Sequence, residues 1–278
     1  MPSPEIHTMQ GRLLPPEDGR IQAFPRSRWR EELALAQAAG VSGIEWIYET
    51  YGEEENPLAD AAGRERVRQL AELHGVVIRS LCADWFMDRP LIRDPSQAIR
   101  LRWLVAAAGA AGIERLVLPC VDASRLRRPA DVDLLVRAVE GTVATLASAG
   151  VELHLETDLA PDSFSTLLER LDHPLICANY DTGNSAALGY HAQEEWAAYG
   201  DRIGSIHIKD RVRGGATVPL GEGDADLETV FDLLVARGWT RPVVLQVARG
   251  RDGDEVGWVA AAAARVRQLW EERSRLWI

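Results

Sequence analysis

Lysine is nearly absent from this chain of 278 residues: Lys209 is the only one, and arginine supplies every other permanently basic side chain. Cysteine is scarce as well. Cys82, Cys120 and Cys177 are odd in number, far apart and without a CxxC pair, which excludes a disulfide frame or a zinc knuckle and leaves core thiols as the expectation. Excess positive charge is lacking too. A net charge of -11 repels phosphate backbones at long range, and the densest basic cluster, Arg125, Arg127 and Arg128, reads as a solvated loop, so nucleic acid is not an expected partner. No apolar run approaches the roughly 18 residues of a membrane span. The start, MPSPEIHTMQGRL, has no charged-then-apolar signal segment, so the expectation is a cytoplasmic protein with no membrane partner.

What is present is a repeat. With 46% apolar residues the chain can bury a large core. An Ala- and Leu-rich helix ends in Gly and an apolar strand follows at once, five times: LALAQAAG-VSGIEWIYE, QLAELHG-VVIRSLCADWF, AAAGAAG-IERLVLPCVD, ATLASAG-VELHLETD and LLVARG-WTRPVVLQVARG. Gly stops a helix because it tolerates a left-handed backbone after the last turn. LICANYDTGN and IGSIHIKDR fit the spacing without the Gly, and EIHTMQGRL opens the series. Eight strands, each followed by a helix and with no linker between units, imply one α/β domain over 1–278, a closed (β/α)8 TIM barrel, with an open doubly wound sheet as the rival. A last helix from about Asp254 to Trp277 closes the ring. Its aromatic end is expected to pack on a neighbouring subunit in a dimer or tetramer.

In such a barrel the active site lies at the C-terminal ends of the strands. There the fifth strand ends in Glu156, the sixth in Asp181, the seventh carries His207 and the eighth Gln246. Two carboxylates, an imidazole and an amide oxygen on successive strands describe a cage for one divalent ion, Mn, Mg, Co or Zn, with positions left for substrate oxygens. Side chains at i and i+2 of a strand share a face. His154 therefore sides with Glu156 as a candidate substrate contact, and Lys209 with His207. Trp46, Tyr48, Trp85 and Phe86 read as core rather than as a sugar platform.

MQGRL, GIEWIYE, LETD, YDTGN, IHIKD and VPLGEGDADLETVF, in that order over nearly the whole chain, resemble the xylose isomerase-like TIM barrels. Within them the likeness is to sugar-phosphate isomerases and epimerases related to L-ribulose-5-phosphate (L-xylulose-5-phosphate) 3-epimerase. The resemblance implies a metal on Glu156, Asp181, His207 and the eighth-strand residue, with sugar contacts from Asn184 and Arg213. The chain departs from it at Gln246, where those epimerases usually have glutamate.

That departure bears on mechanism. Moving a proton at the carbon beside a carbonyl passes through an enediolate, and epimerisation needs proton transfer on both faces. An amide can ligate a metal but cannot shuttle a proton. Glu156 is then the assured base, and isomerisation, which needs one base, fits as well as epimerisation. If epimerisation is fast, His154, Asp84 or a metal-bound water are candidates for the second acid. Lys209 can reach a substrate oxygen, fix a metal-bound carboxylate, or tie down Asp210 or Glu222. Glu222 is grouped with the substrate-binding residues, although Glu222, Asp224 and Asp226 together oppose a phosphate in the loop that Arg211 and Arg213 would offer it. The expected substrate is a small sugar or sugar phosphate. The alternatives are an apurinic endonuclease-like barrel, a non-catalytic sugar- or metal-binding barrel, and a lyase or dehydratase acting on a keto-polyol.

Overall fold

The computed structural model describes residues 3–250 and 253–276. Eight parallel strands close into a ring: β1 (Ile6–Met9), β2 (Gly43–Ile47), β3 (Val77–Cys82), β4 (Arg115–Cys120), β5 (Glu152–Thr157), β6 (Ile176–Asp181), β7 (Ile203–Ile208) and, after a short antiparallel pair β8 (Asp210–Arg211) and β9 (Thr217–Val218), β10 (Val243–Leu245). β1 pairs with β2 on one side and β10 on the other, which completes the barrel. The chain is thus a (β/α)8 TIM barrel, as the repeat predicts. All five junction glycines hold a positive φ, Gly150 at 65° for example, where a side chain would strain the backbone.

Odd and even strand positions do different work. Outward residues such as Ile44, Leu116, Leu153 and Ile206 are fully buried under the helix ring, where they join Leu33, Leu104 and Phe231 in one apolar cluster. Each such side chain contributes about 1.5–3 kcal/mol by leaving water. Trp46, Tyr48, Trp85 and Phe86 are buried in this cluster, as expected of core residues. The inward face differs from the aliphatic filling usual in this architecture. It carries His7, Glu45, Ser80, His154, Asn179 and Ser205, all 4% exposed or less.

The closing helix runs Glu255–Arg275, and Trp270 is buried in the chain's own packing rather than left for a neighbour. Trp277, the other aromatic at that end, lies outside the described residues. No helix among the described residues is long and apolar enough to cross a membrane.

Candidate active site

Register brings three of the expected ligands together. Asp181 of β6 pairs with His207 of β7, and Glu156 lies one strand further round at the end of β5. One ligand atom from each of Glu156, Asp181 and His207 lies within 4.8 Å of the other two. His207 Nε2 donates to Glu45 Oε1 at 2.8 Å, which turns Nδ1 toward Glu156 Oε2 (3.4 Å) and Asp181 Oδ2 (3.9 Å). A carboxylate behind an imidazole in this way fixes the tautomer and strengthens the ligand. Both His207 Nδ1 and Asp181 Oδ2 are buried without a hydrogen-bond partner. Buried polar atoms left unpaired are costly. These two atoms beside Glu156, Asp181 Oδ2 facing only the Lys209 ammonium at 2.7 Å, make an oxygen–nitrogen set that suits Mg, Mn, Co or Zn and fits a divalent ion.

The charges here are strongly coupled. Burial alone would push the His207 pKa down, but Glu45 and Glu156 outweigh it and raise it to about 10. Burial would push the Glu156 carboxyl up, yet His207, Lys209 and Asn179 together hold it below its ordinary value. Both Glu156 oxygens are also held in place. Oε1 accepts from Asn184 Nδ2 at 2.7 Å and Oε2 from Asn179 Nδ2 at 2.9 Å. Asn184 is aimed in turn by Arg211 Nη1, 3.0 Å from its Oδ1, and its backbone N–H caps onto Asp181 Oδ1 at 2.8 Å.

Lys209 and Gln246 stand apart from this trio. The ammonium donates to Gln246 Oε1 at 2.8 Å and lies 2.7 Å from Asp181 Oδ2, without the alignment of a hydrogen bond to that carboxylate. Gln246 therefore spends its amide oxygen on Lys209 rather than joining the other three. Its Nε2 donates to Gln22 Oε1 at 3.0 Å. The lysine stem lies along Gly183, where an added Cβ would come within 2.7 Å of Lys209 Cγ, so the Gly of YDTGN is the room that Lys209 needs. Lys209 ties down neither Asp210 nor Glu222. Asp210 accepts instead from the backbone N–H groups of Gly221, Gly223 and Ala225 at 2.8–3.0 Å, and so holds the GEGDA loop.

Above these residues opens a cleft of about 390 Å³, lined among others by Arg20, Gln22, Glu49, Asp84, Glu156, Asn184, Lys209, Arg211 and Gln246. Three expected contacts are not brought to it. His154 is fully buried inside the barrel, Glu222 is exposed on its loop, and Arg213 lines a neighbouring cavity with Tyr180 and His191. The guanidinium groups at the cleft are those of Arg20 and of Arg211, two residues before Arg213. His154 belongs to a chain beneath the site. Its Nε2 shares a hydrogen bond with Glu152 Oε2 (2.9 Å) and its Nδ1 one with Ser205 Oγ (2.7 Å), and Ser205 donates to Asn179 Oδ1 at 2.6 Å. Gln22, Asn179, Ser205 and Glu45 all shape the site. Only the strand parity of the last three could have marked them, and Gln22 sits on a loop with no periodic signal.

The xylose isomerase-like TIM barrel family matches residues 33–269. The L-ribulose-5-phosphate 3-epimerase UlaE of Shigella flexneri is 26% identical over 239 residues, covering 79% of this chain and 82% of that protein. Among solved structures, the xylose isomerase domain protein from Planctomyces limnophilus superposes with a TM-score of 0.77 at 17% identity, over 99% of this chain and 100% of that one. The IOLI protein with a bound zinc atom gives 0.72 at 14% identity, over 99% of each chain.

Proposed function

We propose, on the premise that the chain belongs to the xylose isomerase-like TIM barrel family, that it is a divalent-metal-dependent isomerase or epimerase of a small ketose or ketose phosphate, with Glu156 as the base. The observation that carries this is the convergence of Glu156, Asp181 and His207, with His207 Nδ1 and Asp181 Oδ2 buried without a hydrogen bond between them. The epimerase relative and the zinc-bearing neighbour support the same reading.

An ion held by Glu156, Asp181 and His207 would act as a Lewis acid on the substrate's carbonyl and adjacent hydroxyl oxygens. The protein's own groups do the rest. Glu156, ionised and fixed by two amide donors, takes the proton from the carbon beside the carbonyl. Asn184 and Asn179 hold it in one orientation, and Glu45 keeps His207 Nδ1 facing the cluster. Lys209 balances Asp181 and presents its remaining N–H donors to the cleft, where a substrate oxygen can accept them.

Metal content of the purified protein, measured against Asp181→Ala and His207→Ala variants with unchanged circular dichroism, tests the site. One ion per wild-type chain and loss in both variants is the expected result, and full occupancy in both variants sinks it. Glu156→Gln should lower solvent exchange of the proton beside the carbonyl of L-ribulose 5-phosphate by about 10² to 10⁴.

A further inference from the structure

A second carboxyl, that of Asp84, lines the cleft across β4 from Glu156. Cys82 of β3 pairs with Val117 of β4, and Pro119, two residues on, pairs with Glu156 of β5. Ala83 N–H donates to Val117 O as the last rung of β3 on β4, and the chain then turns into the short helix Trp85–Asp88, which Asp84 begins. In the ring β4 alone stands between β3, whose end leads to Asp84, and β5, which carries Glu156. Neighbouring strands lie about 4.8 Å apart, so β3 and β5 run roughly 10 Å apart. Asp84, Pro119 and Glu156 all line the same cleft, and the proline between them brings no competing proton donor.

The surroundings of Asp84 are unlike those of Glu156. Its Oδ2 accepts from Gln22 Nε2 at 2.7 Å and its Oδ1 from the Cys82 thiol at 3.1 Å. No cation touches it among the described residues. Gln22 is itself held by Arg12 Nη2 (3.1 Å) and by Gln246 Nε2. Glu49, which follows the end of β2, lines the same cleft as Asp84. Burial pushes Glu49 up to about 7, with nearby Asp84 adding to the shift, and burial likewise pushes Asp84 above its ordinary value. The hydrogen bonds from Gln22 and Cys82 oppose the shift at Asp84 without cancelling it, and neighbouring carboxyls in a desolvated pocket favour each other's neutral form. His154 has no such access, being sealed inside the barrel.

We propose that Asp84 is the second proton-transfer group of this site, serving the substrate face opposite Glu156, and that the protein is therefore an epimerase. This rests on the reading of Glu156 as the base. Glu156 takes the proton from the carbon beside the carbonyl, and the C–H electron pair moves into the enediolate. Protonated Asp84 then delivers its proton to the same carbon from the other side, and that pair returns as the new C–H bond. The cycle leaves Glu156 protonated and Asp84 ionised. Loss of one proton from Glu156 to water and uptake of one by Asp84 restores the enzyme, with no redox partner.

The test uses the metal-loaded protein with L-ribulose 5-phosphate, and separately free L-ribulose, in deuterated water with NMR at C3. Wild type should place deuterium at C3 and form the C3 epimer. Asp84→Asn should still exchange the C3 proton of the starting ketose, within a few-fold of wild type, while epimer formation falls about 10²-fold or more. Asp84→Glu, which keeps a carboxyl, should recover part of it, and metal content should not change in either variant. Epimer formed by Asp84→Asn at the wild-type rate overturns this inference alone, as does a wild type that exchanges without epimerising. A wild type that exchanges no C3 proton on either ketose overturns the reading of Glu156 and this inference with it.

Discussion

His207 is both a candidate ligand and a strong base. With its pKa raised to about 10 by Glu45 and Glu156 against the opposing effect of burial, the ring carries a proton on Nδ1 at neutral pH that a metal must displace. Binding should therefore release about one proton, and apparent affinity should rise roughly tenfold per pH unit below that pKa. Calorimetric titration with Mn2+ in buffers of different ionisation enthalpy reads the proton directly, and a pH-independent affinity would falsify this account of the ring. Gln246→Glu sets a carboxylate against Lys209 and adds negative charge beside Asp181. Tighter metal binding is the expected result, and unchanged affinity would mean the amide position lies too far from the ion to matter. The convergence of Glu156, Asp181 and His207 was legible from the sequence because a barrel puts its chemistry at strand ends, and each of the three is the last or next-to-last residue of its strand. The partnership of Lys209 with Gln246 was not legible, because it depends on how two side chains from different strands meet across the barrel mouth.

At the scale of single elements, β5 and β7 meet through a missing side chain. A Cβ on Gly204 would lie 2.7 Å from both Cys177 Cβ and His154 Cε1, so Gly204 is what admits the imidazole to the barrel interior. Gly204→Ala should cost about 1–3 kcal/mol by overpacking. A melting temperature equal to wild type would show that the ring can move aside. At the foot of β5, Arg241 grips Glu152 at 2.5 and 3.0 Å. Burial opposes ionisation of Glu152, but His154 and Arg241 outweigh it and lower its pKa from 4.5 to about 2. A depressed acid pKa contributes stability that is present above the unfolded value and lost as pH falls through the folded one. The wild type should lose melting temperature between about pH 4.5 and 2, and Arg241→Met should show a shallower loss in that window. Equal slopes would mean the arginine does not set this carboxyl. The eight long strands were readable from their apolar runs and Gly junctions. The two-residue strands β8 and β9 were not, since so short a pair has no period and forms because Asp210 gathers the loop around itself.

For the molecule as a whole, the ring of strands both encloses the site and supports it from below. The hydrogen-bonded series from Arg241 through Glu152, His154, Ser205 and Asn179 to Glu156 runs the depth of the barrel, from the face where the strands begin to the face where they end. TIM barrels are commonly regarded as divided by face, with chemistry in the loops at one end and stability at the other. Here the division fails along one line of side chains. A designer who grafted the upper loops of this protein onto a foreign barrel would carry over Asn184, Arg211 and Gln22, but would leave behind the strand residues that hold Glu156 in place. The transplant would arrive with a carboxylate free to turn, so what can be borrowed from this protein is limited by its foundations as much as by its rim.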